Sequence, residues 1–439
     1  MDPIKVLAIV IFLLIYILIV SDRIHRTIVA LWGALLFAGF PIITSRGVEF
    51  GLLTHGDLLR YENWEALGLI FGMFTLVAAL RESGFFRWLG LTLVKLADFD
   101  ILKIFILFAL ASAILSAFMD SITVLLFLST LTIEVCGLLK INYLPFLLLE
   151  ICSANIGGAS TMVGDPPNII IGTSYHYSFL DFVFNTGPIA VVAFMVNLLF
   201  FYIVYRNMFL NRDEIALEAK RKNSTIDPYS AISDLKLMSI STFIFSCVII
   251  MLVFHHFLGL SVAFVGIFGA SLVLLFGGEK MPDVLERIEW NTLIFFACLF
   301  IMVGGLEKVG VLSDIANFIT NLAHGNSFLL VMAIIWFSAV FSAFIDNVPF
   351  AAAMVPIVRQ VSLQTGIPLG LMAWALALGT DIGGNGTPIG ASANVVGISV
   401  AEKRTGLKVR WSEYCKVAVP ATILSVVTCS VLIFLRYML

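Results

Sequence analysis

The sequence predicts an all-α integral membrane protein built from two inverted repeats, and three observations carry that prediction. Composition is the first: 60% of the 439 residues are hydrophobic and 13% are charged, against roughly 25% charged in a soluble domain. A surface so poor in charge does not stay dissolved in water, so lipid must be the solvent. The second is spacing, because the apolar runs recur at lengths near the ~20 helical residues that cross a bilayer. The third is an internal repeat, in which Trp64, Leu67, Val77, Leu80 and Gly84 return 226 residues later as Trp290, Leu293, Val303, Leu306 and Gly310. A net charge of −3 argues against nucleic acid as a partner.

In chain order, the first half holds apolar runs near 4–20, 24–43, 64–81, 143–172 and 182–205. The second holds runs near 237–256, 260–278, 290–306, 366–402 and 415–436, which makes about ten transmembrane helices. Run 4–20 has no small-x-small cleavage site before Ser21 and reads as a retained helix rather than a removed signal peptide. Stretches 101–139 and 327–362 are too long for one crossing, and each is broken by a polar knot, 116–121 and 342–349. Each reads as two crossings or as one re-entrant hairpin, and either way the chain returns to the side it left. The domain reading is a first repeat over 1–205, a linker over 206–236 and a second repeat over 237–439.

Charge orients this layout. With the N-terminus outside, 20 of the 26 Lys and Arg fall on cytoplasmic segments, as the positive-inside rule requires. Both termini are then outside, the linker is cytoplasmic, and the expected location is the inner (plasma) membrane, crossed many times. Five crossings per half is an odd number, so the second repeat enters from the opposite side. Inverted repeats of this kind are common among secondary transporters.

The repeat also covers the segments least able to be ordinary membrane helices. Ser116, Ala117, Phe118 and Asp120 fall on Ser342, Ala343, Phe344 and Asp346; Gly157, Gly158, Thr161, Gly164 and Asn168 fall on Gly383, Gly384, Thr387, Gly390 and Asn394. The Gly- and Pro-rich stretches 155–168 and 381–394 unwind a helix, giving broken helices over 143–172 and 366–402. Backbone groups freed in this way must face protein or water, because lipid offers no partner. Half-helix N-termini then favour oxyanions or hydroxyls, while freed carbonyls and side-chain oxygens favour cations. Paired interruptions at corresponding places point to a solute site.

Acidic residues stand in these same segments: Asp120, Asp165, Asp346 and Asp381, with Glu150 shortly before Asn155. An Asp at mid-bilayer costs about 2.5–3.5 kcal/mol on insertion scales. Some of these acids serve as helix caps on the plainest reading, and the functional reading is that they carry a proton or bind Na⁺. No Lys or Arg lies between Ile141 and Tyr205 or between Gln360 and Glu402, so the cavity is expected to be free of arginine and to suit a neutral or cationic solute.

Enzyme chemistry fails on inventory. No HExxH, GxSxG or P-loop occurs, and no catalytic or metal-ligating set is read from the sequence. All six His are placed at predicted boundaries or loops, with His255 and His256 at an exposed helix end. The six Cys form no CxxC and read as small apolar residues. A channel is the non-enzymatic alternative.

The segment 154–172, Ala-Asn-Ile-Gly-Gly-Ala-Ser-Thr-Met-Val-Gly-Asp-Pro-Pro-Asn-Ile-Ile-Ile-Gly, resembles the signature of the ion transporter superfamily. Within it the likeness is to the arsenite permease, P protein and NhaD-type branch, and 378–396 is similar to that family's second half. The resemblance implies fixed helices carrying a mobile domain of two re-entrant hairpins and two broken helices, moving as an elevator. It implies a solute site at Ser121, Thr123, Asn155, Thr161, Asn168, Asn347, Asn385, Thr387, Ser392 and Asn394. Proton or cation coupling falls to Asp120, Asp165, Asp346 and Asp381.

The dicarboxylate branch carries Ser-Asn-Thr at the hairpin tips, where this chain reads Asp120-Ser-Ile-Thr123 and Asp346-Asn-Val-Pro349. The expectation is therefore export of arsenite or antimonite, as a neutral trihydroxide, in exchange for protons. A sodium/proton antiporter is the alternative, and an organic-anion carrier the next. No cofactor is expected beyond a coupling proton or sodium ion. A second copy of the chain and a cytoplasmic ATPase are the candidate protein partners.

Overall fold

The computed structural model describes residues 3–21, 24–39, 41–44, 47–50, 52–209, 227–322 and 326–439. Twenty α-helices appear among them. The first repeat contains α1 (Pro3–Ser21), α2 (Arg26–Gly39), α3 (His55–Tyr61), α4 (Trp64–Glu82), α5 (Phe85–Leu96), α6 (Ile101–Ser116), α7 (Ser121–Leu139), α8 (Leu144–Gly158), α9 (Pro166–Tyr175) and α10 (Phe179–Tyr205). The second contains α11 (Leu235–Leu258), α12 (Val262–Phe276), α13 (Met281–Glu286), α14 (Trp290–Lys308), α15 (Val311–Leu322), α16 (Ser327–Ser342), α17 (Asn347–Thr365), α18 (Leu369–Gly383), α19 (Ser392–Thr405) and α20 (Trp411–Tyr437). Most of the expected linker lies outside the described residues. Six helices are long and apolar enough to cross a membrane by length and composition.

The repeat is visible helix by helix. Helices α4, α5, α6, α7 and α9 begin at 64, 85, 101, 121 and 166; α14, α15, α16, α17 and α19 begin at 290, 311, 327, 347 and 392. Packing follows the same exchange. Helix α4 lies on α12 of the other half while α14 lies on α2, and α6 on α8 repeats as α16 on α18. Small residues set these crossings. A Cβ on Gly72 would stand 2.2 Å from the Gly266 carbonyl carbon, so α4 and α12 touch backbone to backbone. One on Gly157 would stand 2.2 Å from the Ala113 oxygen, and one on Gly383 2.3 Å from the Ala339 Cα.

Three features depart from the sequence expectations. The run 24–43 ends as a helix at Gly39 and continues as a two-stranded antiparallel hairpin, Pro41–Thr44 with Gly47–Phe50. Segments 85–96 and 311–322, taken as loops, are amphipathic helices. Their equivalent places show that each repeat uses one to reach its hairpin. His255, placed at an exposed helix end, is 8% exposed, and its Nδ1 lies 2.7 Å from the Leu252 carbonyl. The six cysteines are free, and four of them are buried. At the rim away from Arg26, Lys308 bonds Asp57 at 2.5 Å and holds its carboxyl below the usual carboxylate range.

Candidate functional site

The site forms where both hairpin tips meet both helix breaks. Asp100 and Asn326 cap α6 and α16, at corresponding positions, and carry each hairpin inward. Residues 117–120 and 343–346 then turn the chain. Thr161 donates to the Ala117 carbonyl and Thr387 to the Ala343 carbonyl, so each tip is tied to its own break. Inside the breaks, Asn168 Nδ2 donates to Gly158 O at 2.9 Å and Thr161 O at 3.1 Å. Asn394 Nδ2 repeats this with Gly384 O at 2.8 Å and Thr387 O at 2.9 Å. These four side chains satisfy the carbonyls that unwinding frees. The loops also fold tightly: a Cβ on Gly164 would stand 2.3 Å from Gly158 O.

Asymmetry begins at the tips. Asp120 caps α7, accepting from Thr123 N at 2.9 Å and Thr123 Oγ1 at 2.8 Å. Asp346 caps α17, but Pro349 stands where Thr123 stands and offers neither donor. Its Oδ1 accepts from Val348 N at 3.2 Å, which leaves Oδ2 for Ser392 Oγ and for Arg26 Nη1 at 3.2 Å. Arg26, at the start of α2, also donates to Ser392 and lies over the Phe295 ring, 5.6 Å from its centroid. The cavity is therefore not free of arginine. The residue comes from 320 positions away, and no spacing pattern signals it. The equivalent of Asp165 is Ala391, and neither α9 nor α19 has a side-chain cap hydrogen bond.

Asp165 itself receives Ser121 N at 3.2 Å and Ser121 Oγ at 2.6 Å on Oδ1. Deeper, Asn155 Nδ2 donates to Asn385 Oδ1 at 2.7 Å and Asn394 Oδ1 at 2.9 Å, joining the two breaks. Tyr414 OH holds the Asn385 carbonyl from α20 at 3.1 Å. Asp381, the equivalent of Asn155, faces Asp165 and Asn168 and is fully buried. Five buried oxygens here have no donor: Asp165 Oδ2, Asp381 Oδ1 and Oδ2, Asn155 Oδ1 and Asn168 Oδ1. All five are acceptors. Such a set calls for a cation or for protons, since each orphaned buried acceptor costs about 1–3 kcal/mol.

Two cavities adjoin this centre. The inner one, about 20 Å³, holds one water-sized group and is lined by Arg26, Ser121, Asp165, Asp346, Asn347 and Ser392. Beside it a cavity of about 400 Å³ opens at the Arg26 end, past Tyr16, His25 and Glu289. Of the residues read from the sequence, Ser121, Asp165, Asp346, Asn347 and Ser392 face the inner cavity. Asp120, Thr123, Thr161, Thr387, Asn155, Asn168, Asn385, Asn394 and Asp381 lie behind it, in the tips and breaks. Arg26, Thr292, Phe295 and Phe296 were not read from the sequence. At the opposite end Asn63 Nδ2 bonds Thr173 Oγ1 at 2.8 Å and Ser174 Oγ at 3.2 Å.

The family description that matches the chain is the CitMHS citrate transporter, over residues 16–379. The chain belongs to the CitMHS family. Among its relatives, an uncharacterized transporter of Mycobacterium tuberculosis, Rv2684, is 36% identical over 435 residues, 99% of each chain. The human P protein is 28% identical over 493 residues, covering 95% of this chain and 58% of that one. The Alcanivorax borkumensis YdaH transporter has the same fold, with a TM-score of 0.61 at 14% identity over 94% of this chain and 98% of that one. This CitMHS-family protein is thus a multi-pass membrane transporter of the ion transporter superfamily. Its break and tip residues form one connected polar centre.

Proposed function

We propose that this CitMHS-family protein is a proton-coupled secondary transporter that exports arsenite or antimonite as the neutral trihydroxide. The observation that carries the coupling is the set of five donor-free oxygens at the crossing of the two breaks. Protonating Asp165 or Asp381 supplies the missing donors; deprotonating them restores an unfavourable buried charge. The solute then answers to charge balance. Asp165 and Asp346 line the inner cavity with one guanidinium, Arg26, that Asp346 and Ser392 already engage, and Asp120 and Asp381 stand behind it. That arrangement repels a multiply anionic solute and accommodates hydroxyl groups, which donate to carboxylates and accept from Ser392, Asn347 and the bare start of α19.

Movement follows an elevator scheme. The two hairpins and two broken helices shift as one body against α2 and α4, breaking the Arg26–Asp346 and Asn63–Thr173 contacts that hold them here at the two ends. With the Arg26 end cytoplasmic, the wide cavity makes this the inward-open state.

Arg26 favours a second reading, a carrier for a carboxylate solute, in line with the family's citrate description. Transport in liposomes energised by a pH gradient separates the two. Arsenite uptake that collapses with an uncoupler, with citrate excluded, is the expected result. Citrate uptake without arsenite uptake replaces it with the second reading. Sodium-driven collapse of the pH gradient with neither solute moving makes the protein a sodium/proton antiporter instead.

A further inference from the structure

One buried carboxyl group lies outside the centre described above. Glu150 is on α8, five residues before Asn155 and about 7 Å from it along the helix axis. It is 1% exposed. Thr132 of α7 donates to Oε1, and Oε2 has no partner. Ser112 of α6 donates to its backbone carbonyl at 2.8 Å.

Among the described residues no cation is paired with Glu150. Helices α7 and α8 contain no Lys, Arg or His, and Lys103 of α6 precedes Ser112 by nine residues, about 13 Å along the axis. The titratable neighbour from α7 is Cys136. Glu134 of α7 turns outward to Arg87 at 3.9 Å. Tyr205 of α10 and Tyr414 of α20 face Cys152, and Asp381 of α18 stands at the break. An ionised carboxylate so placed is strongly disfavoured, so Glu150 holds a proton in this state.

The other repeat shows that the packing does not require an acid. At the positions equivalent to Glu150 and Thr132 it carries Leu376 and Val358, both buried in the same helix pairing. Between Glu150 and the break lie two further buried hydroxyls without partners, Ser153 Oγ on α8 and Ser116 Oγ at the end of α6. Ser116 contributes its carbonyl to the neighbourhood of Gly164, the residue before Asp165.

We propose that Glu150 is a proton-carrying residue of the transport cycle, resting on the proton-coupled reading above. Its Oε2 proton is given up to the carboxylate of Asp165 or Asp381, which becomes the acid as Glu150 becomes the carboxylate. Ser153 and Ser116 stand on the way but touch neither acid nor each other, so water must join them for the proton to cross. The second repeat carries the Leu376–Val358 pair at this place and has no such acid.

The test uses the full-length protein in liposomes, as wild type, Glu150→Gln, and the double variant Glu150→Leu with Thr132→Val. The double variant copies the pair the second repeat already packs, so it is expected to fold. Arsenite, citrate and Na⁺ are each offered under a pH gradient and in exchange without one. In the variants, gradient-driven flux should fall at least tenfold while exchange at equal pH falls less than threefold. The infrared carbonyl band of protonated carboxyl groups should lose one component in Glu150→Gln relative to wild type. Variants that keep gradient-driven flux within twofold, lose exchange equally, or lose no component of that band overturn the inference alone. A wild type whose fluxes ignore the pH gradient overturns the proton-coupled reading and this inference with it.

Discussion

Replacing Asp381 by Asn should make the protein more stable while stopping coupled transport. Both Asp381 oxygens are buried without a donor, and Asn168, which faces it, also presents an unpartnered Oδ1. Asn168 offers Asp381 at most a shared donor, because its two N–H groups are already given to Gly158 O and Thr161 O. An amide at 381 brings two N–H donors into a pocket rich in orphaned acceptors. One or two new hydrogen bonds contribute about 1–2 kcal/mol at a net value near 1 kcal/mol each. Removing a buried ionisable group adds to the gain. The expected rise in melting temperature is roughly 1–2 °C for a chain of 439 residues, at about 2.1 cal/mol/K of unfolding entropy per residue. Thermal unfolding of the detergent-solubilised protein reads this, with Asp381→Ala as the control that leaves the acceptors orphaned and should lower stability. Flux under a pH gradient is measured on the same preparations. A less stable Asp381→Asn protein, or one whose flux still follows the gradient, refutes the assignment of these oxygens to the coupling ion.

Further predictions follow from other contacts. Arg26→Gln removes a partly exposed ion pair to Asp346, worth up to about 1 kcal/mol; the alkylation rate of a cysteine at Val396, lining the wide cavity, should fall about fivefold as the Arg26 end closes. Gly157→Ala and Gly383→Ala drive a methyl into Ala113 and Ala339 and should each cost about 1–3 kcal/mol in a thermal assay. Gly137→Ala, with nothing within 4 Å, should instead be neutral or stabilising by up to about 1 kcal/mol. Glu62, between α3 and α4, is pushed up to about 8 by burial. A raised acid binds its proton more tightly when folded, so stability is highest below the ordinary carboxylate range and declines as pH rises toward 8. Glu62→Gln should flatten melting temperature against pH across that window.

The sequence showed the frame of the site better than its lining. Gly and Pro at 155–168 and 381–394 disclosed the breaks because unwinding a membrane helix needs those residues, and the 226-residue offset disclosed that there are two. Asn168 and Asn394 were legible as important, yet they hold carbonyls of their own loops rather than facing the inner cavity. Arg26 was counted among the cytoplasmic charges, since its distance from Asp346 is a matter of helix packing that no local pattern records. Segments 85–96 and 311–322 are too short, at 12 residues each, and too mixed in polarity to resemble a crossing.

What the two repeats share and what they do not divides the labour of the molecule. The shared set, Thr161 and Thr387, Asn168 and Asn394, Gly157 and Gly383, closes backbone hydrogen bonds and helix crossings, which any pair of broken helices must do. Chemistry sits on the mismatches. Asp165 is matched by Ala391, Asn155 by Asp381, Thr123 by Pro349, and Glu150 by Leu376. The mismatch at Pro349 has a local consequence, freeing Asp346 for Arg26. A symmetric centre would present the same potential to both sides of the membrane. The mismatches bring Arg26 to Asp346 and Ser392 and leave Asp165 and Asp381 short of donors, while Asp165 lines the same inner cavity as Arg26. On the proposed reading, the ion at the breaks and the solute beside Arg26 are then coupled through Asp165, which both share.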